Sequence, residues 1–443
     1  YDPALAPASD PRTQIPLEHF APGLNRLLAR TGWDANANWF SYSLSWSLID
    51  HQHANGNHFE WYRKGEWLTK QRTGYADIAE GIASSEFSNV LAIENDKPDR
   101  DATDWRIDLW QRGAQWNLVA AGDPQLLARS SSDVFSYASG DATPLYNSSN
   151  ENTNDVLHAS RSIVWLKPDA VVVFDRAQTK TANRFKRWWL QSASPANVTG
   201  SNATITTALG QQLVINSLLP SGAALSAVNT REEHIENTVA GYEPMKVRLR
   251  IDAPGNPADV RFLQVLQAAD AGVSVSPAQL IQSADATWQG AQVGTAVVLF
   301  PKSLGQPFTG LSYTFVAPVV NHVITGLAPA TAYCVTLSAN SLSLQKGCSQ
   351  MSDSGGVLHY SAYASSNCLF NWAERSFPQF FAPAGAPSAI LAPYYYRYYA
   401  DTGNFLATSS ADNQLRVLGP ATGNTLLDVG STTSYKALAG CAP

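Results

Sequence analysis

The segment Asp50-His51-Gln52-His53-Ala54-Asn55-Gly56-Asn57-His58-Phe59 carries three of the chain's eight histidines. Imidazole titrates close to neutral pH, so clustered histidines suit proton transfer or metal ligation. Residues i and i+2 of a strand face the same side, which would aim His51 and His53 into one cleft. Asn55-Gly56-Asn57 is turn chemistry, and working residues gather on loops, so Asn57 joins the candidate ligand contacts. Arg63 and Arg72 flank the hairpin that follows, where a guanidinium could grip a carboxylate or sulfate with two parallel hydrogen bonds. Blander readings stand beside these. The histidines could form a polar network at a sheet edge, Arg63 could pair with Glu60 or Glu66, and Tyr75 could be a buried hydroxyl rather than an acid–base group.

The elements that must position these groups read as β throughout. From Trp39 onward, short runs of Val, Ile, Trp and Phe alternate with polar residues, and clusters of Asn, Asp, Gly and Ser mark the turns. Residues 161–176 give the clearest pair, two apolar strands joined by Lys167-Pro168-Asp169. Further strands are expected at Phe185–Gln191, Ala203–Ala208, Gln212–Leu219, Met245–Asp252, Arg261–Ala268 and Ala296–Phe300. This spacing predicts an all-β fold dominated by a large two-sheet antiparallel β-sandwich. Four segments are expected: a linker over 1–34, briefly helical around Leu24–Leu28; the sandwich over 35–318; a small β unit over 319–365; and a C-terminal module over 366–443. In the last, Phe370–Glu374 reads as a short helix and Tyr394–Tyr399 as an aromatic strand.

Composition narrows the function. The 443 residues carry a net charge of -6, which disfavours nucleic acid or an anionic membrane as partner, since each needs a basic face. No apolar run is long enough to span a bilayer. Thirteen Trp and seventeen Tyr supply rings that could stack on sugars or pack a core. The first residues, Tyr1-Asp2-Pro3, lack an initiator Met and a signal peptide, so a processed or excised product is expected. Four cysteines without a C-x-x-C spacing predict two disulfides and an oxidising compartment, secreted or periplasmic. Pairing in order joins Cys334 to Cys348 and Cys368 to Cys441, one of three possible connectivities. No Gly-x-Ser-x-Gly elbow, phosphate loop or His-Glu-x-x-His helix occurs.

Several motifs, in order, resemble the heparinase II/III-like polysaccharide lyases. They are His51-x-His53 with its polar loop, the hairpin Tyr62-Arg63-Lys64-Gly65-Glu66-Trp67-Leu68, then Gly74-Tyr75, the 161–176 hairpin, and Arg184-Phe185-Lys186-Arg187-Trp188-Trp189-Leu190. Leu17–Trp33 is similar to the linker that leads into that region, and the match covers roughly 15–300. The resemblance implies a β-sandwich acting with an N-terminal helical toroid, absent from this chain, on an acidic polysaccharide. It implies β-elimination beside a uronic acid, in which a base takes the C5 proton while the carboxylate is neutralised. Matched to the family's motif, His51 takes a catalytic or carboxylate-side role. Beside it, read from the residues themselves, Tyr75 is the candidate acid–base group, and His53, Asn57, Arg63 and Arg72 are candidate substrate contacts.

In that family the second histidine is often a zinc ligand, together with an acid after the hairpin and a later histidine. Here Gln71 and Ser88 stand at those places, and neither is a good zinc donor, so no metal and no cofactor are expected. The tail resembles a small module of secreted β-proteobacterial proteins, bracketed by Cys368 and Cys441. An alternative of another class is a non-catalytic, secreted glycan-binding or assembly protein built on the same sandwich.

Overall fold

The computed structural model describes residues 12, 14–44, 52–72, 83–116, 120–229, 245 and 247–361, and the backbone of three strands within 406–431. His51 and Tyr75 lie outside the described residues, as do Cys368, Cys441, the 370–374 helix and the 394–399 strand. The chain divides into two compact units, 1–317 with 323–358, and 318–322 with 359–443.

The larger unit is antiparallel β. Its first sheet runs Glu18–Ala21, Arg26–Arg30, Trp39–Ser43, His58–Arg63 and Glu66–Thr69 in sequence order. Period-two alternation sends Leu27, Ala29, Phe40, Tyr42, Phe59, Trp61 and Leu68 into the core. The helical expectation around Leu24–Leu28 is corrected. Only Pro22–Leu24 make a 3-10 turn, which Asn25 ends in the left-handed region at φ 45°. Leu27 and Ala29 then alternate inward on a strand, so burial of one face overrides local helix propensity. Lys64 and Gly65, at φ 44° and 93°, make the two-residue turn after Arg63, the geometry that matches strand twist.

An eight-stranded sheet is the centre of the unit. Its order is Ala196–Thr199, Asn202–Thr206, Gln211–Leu219, Asp259–Asp270, Ala170–Thr179, Val156–Leu166, Phe135–Asp141 and Gln125–Ser131. One face carries Ile163, Trp165, Val171, Val173 and Leu266 against the first sheet and a four-stranded sheet, Leu225–Asn229, Val247–Asp252, Lys186–Ser192 and Leu91–Ile93. The other face carries Val164, Val172, Phe174 and Val265 against Ala291, Val298 and Phe300 of a further sheet. The expected two-sheet sandwich therefore has a third layer. That is why residues 170–174 read Ala-Val-Val-Val-Phe without alternation, since both faces of the strand are buried. The expected strands are present with ends moved by a few residues. Two helices were not expected from the sequence, the single turn Thr143–Tyr146 and Trp105–Arg112, the latter capped by Asp104, whose carboxylate accepts from the Arg106 N–H, and by Gly113 at φ 66°.

Beyond the central layers, Leu311–Thr314, Ser341–Lys346, Ala332–Leu337 and Gln350–Met351 form a four-stranded sheet stapled by Cys334–Cys348. In the smaller unit, Leu406–Ser409, Gln414–Leu418 and Thr425–Ser431 pair antiparallel, and His359 Nε2 lies 2.9 Å from Asn321 Oδ1. No helix among the described residues is long and apolar enough to cross a membrane.

Candidate functional site

Gln52–Asn57 is a loop, and the strand begins only at His58. The two-fold alternation invoked for His51 and His53 therefore does not place His53. Tertiary hydrogen bonds do. The Ala54 N–H donates to Ala83 O at 2.7 Å, and Gly56 exchanges two bonds with the Gln115 amide, at 2.8 and 2.9 Å. Asn55 Nδ2 donates to Gln71 Oε1 at 2.7 Å, while the Arg72 N–H donates to Phe87 O at 3.1 Å. These contacts bring the histidine loop, the end of the hairpin and the 83–89 turn into one corner. Positions 53, 55, 71, 72 and 86–89, scattered in sequence, meet there.

Beneath the corner lies a buried polar lattice. Asn89 donates its N–H to His58 Nδ1 at 3.0 Å, and its side-chain amide to Phe59 O at 2.8 Å and Thr69 Oγ1 at 2.9 Å. Its Oδ1 accepts the Gln191 N–H at 2.8 Å. With Nδ1 as acceptor, His58 carries its proton on Nε2, which points to Glu60 Oε1 at 3.7 Å. Burial lowers the His58 pKa, so the ring is neutral at physiological pH. Burial alone would raise Glu60, but its contacts with His58, Arg26 and Ser41 win and hold it well below the usual carboxylate range. With His58 neutral, its Nε2–H still faces Glu60, and Arg26 supplies the positive charge at pH 7.

Arg161 and Asp175 pair across the central hairpin with two parallel bonds of 2.7 and 2.8 Å, both side chains 1% exposed. The same guanidinium donates to Asn57 O at 2.7 Å and to Asn89 O. One buried cation thus ties the histidine loop and the 83–89 turn to the rigid centre of the molecule. Sequence reading took Arg161 only as a strand end. The available signal was an Arg and an Asp placed to face each other across the hairpin, at the ends of the apolar runs 163–166 and 170–174.

A second cationic group edges the corner. Arg248 lies 4.5 Å from the Phe87 ring centroid and 5.0 Å from that of Trp189, and pairs with Glu86 Oε2 at 2.9 Å. Arg112 reaches the other Glu86 oxygen, and Arg72 sits 5.9 Å from the Phe87 ring. Arg72 therefore lies in the corner, and Arg248, which the sequence did not single out, joins it.

Two expected contacts sit elsewhere. Asn57, at φ 68°, accepts the Tyr42 hydroxyl at 2.6 Å and donates to Gly140 O at 3.2 Å inside the core. Arg63 is held by Asp169 at 2.8 Å and Asp270 at 2.6 Å, and also donates to Gln211. Its partners are neither Glu60 nor Glu66. Both side chains are engaged by protein groups, so they belong to the framework of the first sheet.

The zinc donor set does not fit this corner. The Gln71 carbonyl oxygen is taken by Asn55, and position 88 offers only a buried hydroxyl. Among the described residues no three His, Cys, Asp or Glu side chains are grouped to hold a metal ion.

No family model and no curated protein matches the chain. Among solved structures it is similar to the heparan sulfate lyase HepC from Pedobacter heparinus, with 14% identity and a TM-score of 0.48 over 66% of this chain and 43% of that one. It is also similar to heparinase III, with 11% identity and a TM-score of 0.44 over 76% of this chain and 41% of that one. The chain thus spans less than half the length of either protein.

Proposed function

We propose that the chain is the β-rich part of a polysaccharide lyase that cleaves a uronic-acid-containing polymer by β-elimination, together with an N-terminal helical domain. The observation that carries this reading is the corner itself. The motifs quoted above are distant in sequence, yet the His53 loop, Arg72 and the 83–89 turn are cross-bonded into one place. His51 and Tyr75 directly adjoin that corner in sequence, two residues before His53 and three after Arg72. In the proposed reaction, Arg72 and His53 neutralise the uronate carboxylate, which acidifies C5. A base takes the C5 proton, the C4–oxygen bond breaks, and an acid protonates the leaving oxygen. His51 and Tyr75 are the proposed proton-transfer pair, and no step is routed through zinc.

The Cys334–Cys348 disulfide supports a secreted or periplasmic location. Gln71 and Ser88, in place of zinc ligands, favour the second reading, a glycan-binding protein without turnover. The deciding experiment incubates the chain joined to its helical domain with a series of uronate polymers and follows the ultraviolet absorbance of the 4,5-unsaturated product. Product is expected, with His51→Ala at least about a hundredfold slower and still folded. No product from any polymer, or a fully active His51→Ala, overturns the lyase reading.

A further inference from the structure

Arg30, Trp39, Tyr62 and Trp67 lie side by side on four neighbouring strands of the first sheet. Their inward neighbours Ala29, Phe40 and Trp61 fill the core, so this row is on the opposite, outer face. At roughly 4.8 Å per strand it spans about 14 Å. The rings form one cluster with tilted and edge-to-face contacts: Trp39 and Tyr62 centroids are 4.6 Å apart, Trp39 and Trp67 5.1 Å, and Tyr62 and Trp67 5.3 Å. All three are half-buried.

The row ends on a cation set out for use. The Arg30 guanidinium stacks 4.0 Å above the Trp33 ring and stands 5.7 Å from that of Trp39. Among the described residues its side chain makes no ion pair and no hydrogen bond. A guanidinium whose flat face is covered by an indole keeps its edge N–H groups for a planar anion. Arg30 also lines a cleft of about 580 Å³, with Thr31, Ser131, Ser132 and Lys167. Lys167 donates to Ser132 O at 2.7 Å. Glu18 and Asp133 line the cleft as well, but Glu18 accepts the Ser136 hydroxyl at 2.5 Å and lies 3.9 Å from Lys167. Lys167 is thus offset by Glu18, and Arg30 is the cation of this cleft whose side chain makes no ion pair among the described residues.

We propose that this aromatic row and the cleft at its end form a second binding surface for an acidic polysaccharide, with sugar rings on Trp39, Tyr62 and Trp67 and a carboxylate or sulfate on Arg30. The class of polymer rests on the lyase reading. The surface itself does not, because it lies on the strands and not at the histidine corner. The occupant is a polysaccharide rather than an apolar protein face, since the row couples rings to a cation with an unfilled hydrogen-bonding edge.

The test is gel electrophoresis of the 443-residue chain through gels containing alginate, hyaluronan, heparan sulfate or an uncharged β-glucan. At least one uronate polymer is expected to retard the chain, and the neutral glucan not to. Trp39→Ala, Trp67→Ala and Arg30→Ala should each weaken retardation by about tenfold or more. Arg30→Lys, which keeps the charge and loses the plane, should weaken it too, and it remains informative if a Trp variant fails to fold. Wild type unretarded by every polymer, folded variants retarded like wild type, or equal retardation by neutral glucan each overturns the proposal. So does a wild-type dimer in sedimentation that Trp39→Ala converts to monomer, which would give the face to a second copy. Retardation without any unsaturated product fails the lyase reading alone, and product without retardation fails this inference alone.

Discussion

His58 and Glu60 show how single residues here act through the company they keep. An exposed histidine would titrate near 6.5. Burial keeps His58 neutral in the fold, so the unfolded chain binds the extra proton first on acidification. Its contribution to stability is full above about 6.5 and is lost as pH falls toward its lowered folded value. Glu60 has a depressed folded pKa, so its contribution is full above its ordinary 4.5 and is lost as pH falls through about 2. Both signs agree, and the protein should lose stability from pH 7 down to pH 3 (about that range). Urea midpoints measured across it should show the decline that begins below about 6.5 flattened in His58→Gln, and the decline below about 4.5 flattened in Glu60→Gln. Unchanged slopes in both variants would contradict the assignment.

At the scale of elements, the corner is a loop, a hairpin end and a 3-10 turn, none of which is stable alone. Arg161 on the central hairpin holds two of them by their carbonyls while Asp175 neutralises it. Removing only the cation strands a buried carboxylate, so Arg161→Ala should cost about 3–5 kcal/mol in urea unfolding. Arg161→Met combined with Asp175→Leu should cost much less, because replacing a buried pair by apolar groups is often close to neutral. That double variant would still lack the clamp on Asn57 and Asn89. Proteolysis within residues 52–57 and 83–89, faster than in wild type at equal global stability, is the expected signature. Equal proteolysis would show that the clamp does not position the loops.

At the largest scale, the sheets of the larger unit stack in three layers around its doubly buried central sheet, and the Cys334–Cys348 bond staples the outlying sheet of that unit. With the cysteines separated by 14 positions in sequence, the chain-entropy account gives the bond about 3 kcal/mol. Cys334→Ser with Cys348→Ser should lower the unfolding midpoint accordingly, and reductant should lower the wild-type midpoint toward the same value. A double variant as stable as the oxidised wild type would place the stability elsewhere. Cys368 with Cys441 stands as the expected second pair, and peptide mapping without reduction would read it.

What the sequence determined by itself is what depends on near neighbours: the β class, the strands and the Lys167-Pro168-Asp169 turn, whereas it left three cysteine connectivities open and the structure shows Cys334–Cys348. Alternation and turn residues are local properties, so they are legible without a fold. The tertiary structure decided the rest. Leu27 and Ala29 lie on a strand because a core face needed them, and the apolar 170–174 run is explained by a third layer that no single strand announces. Arg63 and Arg72 look alike in sequence. One is held by Asp169 and Asp270, more than a hundred residues away, while the other packs at the corner beside Phe87. Which partner a long, charged side chain finds is fixed by contacts far apart in the chain, and those come into being only when the sheets close on one another.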